Sequence, residues 1–311
     1  MKNIALAITS TLLFAACGGG SGGPASPVVT PPPAPPPVTP TPVNVNISNP
    51  TQTTFDNGEV SQGGALTLVW SDEFSAAQLD PETWFFESGD GSQYGIPGWG
   101  NNEQQWYLED NAALSNGILT LTAKEESQSG YAFTSARLLT RDRVAVRYGR
   151  IEARMRLPGG QGLWPAFWML PQDFVYGGWA ASGEIDIMEA VNLDASGGNN
   201  VVGTLHYGGE FPGNVFTSEW TTVSGSATGE FHEYAIEWDA TEIRWYVDDV
   251  LFSTKTSWYS TSAVYPAPFN QPFYILLNIA VGGNFPGPPN AGTVFPVTMD
   301  VDYVRVYSGN P

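Results

Sequence analysis

Cysteine is almost absent: Cys17 is the only one in 311 residues. No intramolecular disulfide can form, and no cysteine-ligated zinc site can be built. Basic side chains are scarce too, 12 Lys and Arg against 31 Asp and Glu, for a net charge of −19. That sign repels nucleic acid and anionic surfaces, so nucleic acid is excluded as a partner. It is compatible with a neutral ligand such as a sugar, and equally with plain solubility. Only two histidines occur, His206 and His232, with no Gly-x-Ser-x-Gly elbow to pair with one, which argues against a serine-type hydrolase. Zinc motifs, phosphate loops and dinucleotide fingerprints are missing, and so is any sustained helical period with caps.

What is present begins with "MKNIALAITSTLLFAAC", residues 1–17: a lysine near the start, a short apolar run and small residues before the cysteine. This reads as an export signal, too short to span a bilayer. Its ending, "LFAAC", resembles the bacterial lipoprotein signal, which implies lipidation at Cys17, a membrane anchor and display on the outer membrane or cell surface; Phe14 stands where leucine is usual. Residues 18–63 read as a linker, with "GGGSGG" as a flexible tether and ten prolines between 24 and 42 as an extended spacer.

From residue 64 to 311 the texture is that of one domain. "ALTLVW", "GILTLTAKE", "YGRIEARMRLP", "HEYAIEWDATEIRWYVDDVLFST" and "MDVDYVRVYSG" alternate with period two and are rich in β-branched and aromatic residues. Turns are expected at Asp239 to Glu242 and at Asp248-Asp249. The spacing predicts an all-β fold, a two-sheet antiparallel β-sandwich, and a monomer is expected.

"SGEIDIMEAVN", residues 182–192, sets Glu184, Asp186 and Glu189 among apolar residues. On a helix, at roughly 100° per residue, the three would not converge. On a strand, Glu184 and Asp186 share a face while Ile185 and Ile187 point to the core. Strict alternation sends Glu189 the wrong way, and one extra residue at Ile187-Met188, a β-bulge, restores it. The two glutamyl carboxyls could then approach to about 5 to 6 Å, the spacing of a retaining glycosidase. The competing reading is a solvated acidic strand face; the apolar interleaving and nearby aromatics disfavour it.

"GEIDIME" resembles the signature of glycoside hydrolase family 16, and "VWSDEF", "GWGNNEQQWY", "GLWPAFWMLP", "GTLHYGG", "LLNIAVGGNFPGPP" and "MDVDYVRVY" follow in that family's order. The resemblance, strongest to laminarinases, implies a jelly roll with a carbohydrate cleft on its concave sheet and endo-hydrolysis of β-1,3-glucan with retention. It implies Glu184 as nucleophile, Glu189 as general acid and base, and Asp186 as the assisting carboxylate. It also implies cleft contacts from Trp99, Asn101, Asn102, Arg137, Trp164, Trp168, His206 and Asn278. No cofactor is expected for catalysis, while a structural calcium is implied at Glu73, the Gly117 backbone oxygen and Asp302. A mixed-linkage β-1,3-1,4-glucanase, an algal galactan hydrolase and a non-catalytic β-glucan-binding protein remain as alternatives.

Individual aromatics carry further expectations. Trp99, between glycines, is expected exposed on a loop, and Trp106 in the core. Trp164 and Trp168 should share one strand face, with Phe167 and Met169 on the other. His232 is expected to be structural. Two positions depart from the family pattern: Phe285, where tryptophan is common and stacking would change, and Asp249, where glycine is usual and a hairpin would be strained.

Overall fold

The computed structural model describes residues 52–57 and 65–309. The signal segment, the lipidation cysteine Cys17 and most of the expected linker lie outside the described residues. Two sheets make up the domain, and no α-helix occurs among the described residues.

The first sheet has nine strands. Its main path runs Thr53–Asp56, Val144–Arg147, Phe273–Val281, Leu163–Pro171, Glu184–Glu189, Asn200–Tyr207 and Val215–Thr222, with Arg137–Leu139 and Phe85–Phe86 alongside. We call it the cleft sheet. The ten-stranded outer sheet centres on His232–Trp238, Gly149–Arg156, Val297–Gly309 and Ile118–Gln128. Among the strands of the described residues pairing is antiparallel apart from two short parallel pairs, Thr53–Asp56 with Val144–Arg147 and Gln105–Tyr107 with Tyr131–Ser135. The first of these corrects the expected boundary at 64, because residues 53–56 belong to the sheet. Four residues carry little periodicity, and only the distant partner strand makes them legible.

Alternation sorts the side chains. Phe167, Met169, Ile185, Leu205, Ile275 and Leu277 of the cleft sheet meet Ile151, Tyr234, Ile236, Trp238 and Trp245 of the outer sheet in one buried core. Each such side chain contributes about 1.5–3 kcal/mol on burial. Both expected turns are present. Asp239 Oδ1 accepts hydrogen bonds from the backbone of Thr241 and Glu242, at 2.7 and 2.9 Å. Asp248 and Asp249 adopt φ of 50° and 60°, the pair of positive values that a tight hairpin requires. Glycine would take this geometry without strain. At Asp249 the carboxylate bonds Arg150 at 2.7 Å, while Asp248 bonds the Glu233 amide at 2.9 Å and His232 Nδ1 at 2.7 Å. His232 is thus structural.

One glycine decides how the two sheets meet beneath the acidic strand. A Cβ on Gly203 would stand 2.4 Å from Trp245 Cδ1. Its absence lets the indole, from the outer sheet, reach across the core and donate from Nε1 to the Asp186 carbonyl at 2.9 Å.

Candidate active site

The strand Glu184–Glu189 is bulged. Against its neighbour, Glu184 pairs with His206, Asp186 with Thr204 and Glu189 with Val202, so three steps on one strand face two on the other. The strand on the opposite side registers the same extra residue, with Trp168 opposite Asp186 and Phe167 opposite Met188. Ile185, Ile187 and Met188 all enter the core. Glu184, Asp186 and Glu189 consequently line one cavity on the other face. Apolar residues on both sides of the bulge fix this arrangement, because slipping the register would expose three of them.

Among the described residues no lysine or arginine forms an ion pair with these carboxylates; tryptophans hold the two glutamates instead. Trp179 Nε1 donates to Glu184 Oε2 at 2.7 Å, and Trp164 Nε1 donates to Glu189 Oε1 at 2.9 Å. His206 Nε2 lies 3.6 Å from Glu184 Oε1 and 3.4 Å from Asp186 Oδ2. Asp186 Oδ2 itself is buried without a hydrogen-bond partner. Burial, then the neighbouring Asp186, pushes the Glu184 and Glu189 carboxyls each up to about 8. Burial raises Asp186 as well. Three such groups cannot all ionise in so dry a place, so at neutral pH the trio shares protons, and its titration belongs to the set.

The cleft continues through Trp99, Asn101, Arg137, Trp164, Trp168 and Asn278, which all line the cavity. The Arg137 guanidinium is held between two indoles, 4.5 Å from the Trp99 ring and 4.9 Å from the Trp168 ring, and its Nε donates to Glu87 Oε2 at 2.6 Å. Trp168 Nε1 donates to Asn278 Oδ1 at 2.8 Å, and Asn278 Nδ2 to the Tyr107 hydroxyl at 3.3 Å. Trp164 and Trp168 do share a face, with Phe167 and Met169 in the core. Asn102 is not brought in: it is exposed and donates to Asn284 Oδ1 at 2.9 Å.

The two loop tryptophans exchange places. Trp99 is 2% exposed, packed among Tyr94, Tyr107 and Ile96, whereas Trp106 is half-buried against Tyr131. Parity in Gln105–Tyr107 explains the second, since Gln105 and Tyr107 turn inward and Trp106 outward. The first depends on partners far along the chain. Two further residues belong to the cleft, of which Trp179 escaped the sequence reading. Glu103 is buried, accepts from Gln105 at 2.7 Å and Tyr107 at 3.1 Å, and lines the cavity. Trp179 sits in a glycine-rich loop five residues before Glu184, a spacing that could have signalled it.

The calcium set does not fit as arranged. Both Glu73 oxygens accept from Arg305, at 2.8 Å each, and Asp302 Oδ2 accepts from Arg154 at 2.6 Å. A hard cation there would have to displace two guanidinium groups.

The sequence profile of "Glycosyl hydrolases family 16" matches residues 99–305. The chain belongs to this family. A glucan endo-1,3-beta-glucosidase A1 from Niallia circulans is 42% identical over 78% of this chain and 38% of its own length. A beta-glucanase from Rhodothermus marinus is 40% identical over 77% of this chain and 84% of its own. The chain thus spans well under half of the first relative and most of the second. Among solved structures, the laminarinase catalytic domain from Thermotoga maritima MSB8 superposes with a TM-score of 0.70 at 38% identity, over 79% of this chain and 99% of that one. This family 16 protein has the two-sheet sandwich that its sequence led us to expect.

Proposed function

We propose that the protein cleaves internal β-1,3-glucosidic bonds of β-glucans such as laminarin by double displacement with retention. The observation that carries this reading is the bulge that turns Glu184, Asp186 and Glu189 into one aromatic-lined cavity. The named activities of the relatives support it.

Burial raises both glutamates alike, so their surroundings divide the roles. Glu184 has the shorter indole bond, 2.7 Å against 2.9 Å, which favours its anion. Glu189 likewise has one indole donor, and its greater exposure leaves it open to a leaving oxygen and to water. Ionised Glu184 attacks the anomeric carbon while Glu189 gives its proton to the departing oxygen, breaking the glycosidic bond and leaving a glycosyl ester on Glu184. Glu189 then takes a proton from water, whose oxygen attacks the same carbon and frees Glu184. Asp186 tunes both groups by its charge. Trp164 and Trp168 offer stacking faces to the apolar sides of sugar rings, with Arg137 and Asn278 for hydroxyls. Attachment to a bacterial membrane through lipidated Cys17 and action as a monomer complete the proposal; the lipoprotein-like N-terminus supports the anchor.

NMR of the first product formed from laminari-oligosaccharides tests the chemistry. Retained anomeric configuration is expected, and inversion would remove Glu184 as nucleophile.

A further inference from the structure

The reaction described above gives the His206 imidazole no task, although it stands among the acids. Register places His206 directly across from Glu184, with Asp186 two residues further along the same face of the acidic strand. Both strands are paired on each side within the cleft sheet, so rigid backbone delivers all three side chains. His206 Nε2 lies 3.6 Å from Glu184 Oε1 and 3.4 Å from Asp186 Oδ2. One ligand atom from each of the three residues falls within 4.8 Å of the others. All three side chains are buried.

Those separations are close to what a single ion requires. With metal–ligand distances of about 2.0–2.2 Å, two donors on a four-coordinate zinc stand about 3.4 Å apart. Two further observations aim at the same point. Asp186 Oδ2 is buried without a hydrogen-bond partner, on a residue only 3% exposed. Trp179 binds the other oxygen of Glu184, Oε2, and so holds Oε1 toward the imidazole, as an outer partner does for a ligating carboxylate. The donor set also selects the ion. One imidazole nitrogen and two carboxylate oxygens suit a zinc-class cation, whereas calcium takes six to eight oxygens and magnesium a strict octahedron. Glu184 and Asp186 line the cavity, so a fourth ligand, water or a sugar hydroxyl, can enter from the cleft.

We propose that Glu184, Asp186 and His206 form a binding site for a zinc-class divalent cation, which occupies the nucleophile's oxygen and reversibly stops turnover. Binding of the ion stands on the geometry alone; the inhibition rests on the glucanase reading above. His206 Nδ1 is buried without a partner, so the imidazole lacks the outer hydrogen bond that usually adds about 10–100-fold to metal affinity. The site should therefore be micromolar and reversible rather than a permanent structural one.

Calorimetric titration of zinc chloride into the tag-free, chelator-treated protein should show one site with a micromolar Kd. His206→Gln and Asp186→Asn should each weaken that Kd at least about tenfold while keeping the native circular dichroism spectrum. Cobalt(II) added to the unaltered protein reads the same site without any substitution, and the strong visible bands of four-coordination are expected. His232, the other histidine, lies 2.7 Å from Asp248 and 4.0 Å from Glu230 and is the rival location. Zinc lost in His232→Gln but kept in His206→Gln overturns the proposal, as does weak six-coordinate cobalt absorption or the lack of saturable binding below about 1 mM. At zinc ten times its Kd, laminarin cleavage should fall about tenfold and return with EDTA. Undiminished cleavage with zinc bound overturns the inhibition. A protein that takes up zinc through His206 yet never cleaves laminarin refutes the glucanase reading and upholds the site.

Discussion

Buried charge occurs on both sheets and is treated oppositely. On the outer sheet Arg150 bonds Glu152 at 2.7 Å, Glu233 at 2.5 Å and Asp249 at 2.7 Å, with Glu237 at 3.5 Å. Arg244 holds Glu237 at 3.0 Å and also pairs with Glu242. Phenols complete the set, with Tyr303 on Glu233 and Tyr246 on Glu237, each at 2.7 Å. In the cleft, Glu184, Asp186 and Glu189 face one another with indoles and a single imidazole for company. A guanidinium would lock those carboxylates in the ionised form and leave no proton to transfer; an indole N–H orients a carboxyl without adding a full charge. The outer network gives up chemistry for fixed geometry, and the cleft does the reverse.

Removing a cleft glutamate breaks the contrast most visibly. Glu184→Gln and Glu189→Gln should each lower kcat by about 10³-fold or more while retaining the native circular dichroism spectrum. These variants should also gain stability at alkaline pH. As a coupled pair they keep a proton in the folded state up to about 8, whereas the unfolded chain releases both near the ordinary value of 4.5. Between those values the native state binds more protons, so stability falls as pH rises. Melting at pH 9 should therefore occur a few °C higher in the glutamine variants than in the parent. A lower melting temperature would show that the carboxyls are not strained.

Breaking the outer network should do the converse. Arg150→Met leaves Glu152 and Glu237 buried with less compensation, and urea unfolding should report a loss of about 3–5 kcal/mol. The folded fraction should keep its kcat, which ties that network to the scaffold rather than to turnover.

Asp186→Asn sharpens the view of the trio. The Asp186 charge raises both glutamates, so its removal should move the alkaline limb of the kcat/KM profile to lower pH. An unmoved limb would mean that burial alone sets those groups. The smallest effect is expected at Glu73→Gln, which breaks a partly exposed pair with Arg305 and should cost less than about 1 kcal/mol in a urea titration.

The sequence disclosed its local patterns better than its distant meetings. The bulge was legible because Ile187 and Met188 stand side by side in a segment that otherwise alternates, and only one extra residue reconciles the core with the acids. That Trp164 and Trp168 share a face was legible by parity, and that it is the cleft face came from the family resemblance. Trp99 was not, since its burial depends on Tyr94, Tyr107 and Arg137, which come together only in the fold. The strand at 53–56 was hidden for the same reason, its partner lying some ninety residues further on. Glu73 and Asp302 carry the right oxygens for calcium, yet position along the chain says nothing of Arg305 and Arg154 standing beside them.

The Trp245 indole under Asp186 works like a keel. Loops at the cleft rim can be exchanged to suit other glycans while this beam from the opposite layer keeps the reacting groups on aim. Efforts to retune specificity have latitude around the mouth and almost none at Gly203, where a single added methyl group would lift the keel from its slot.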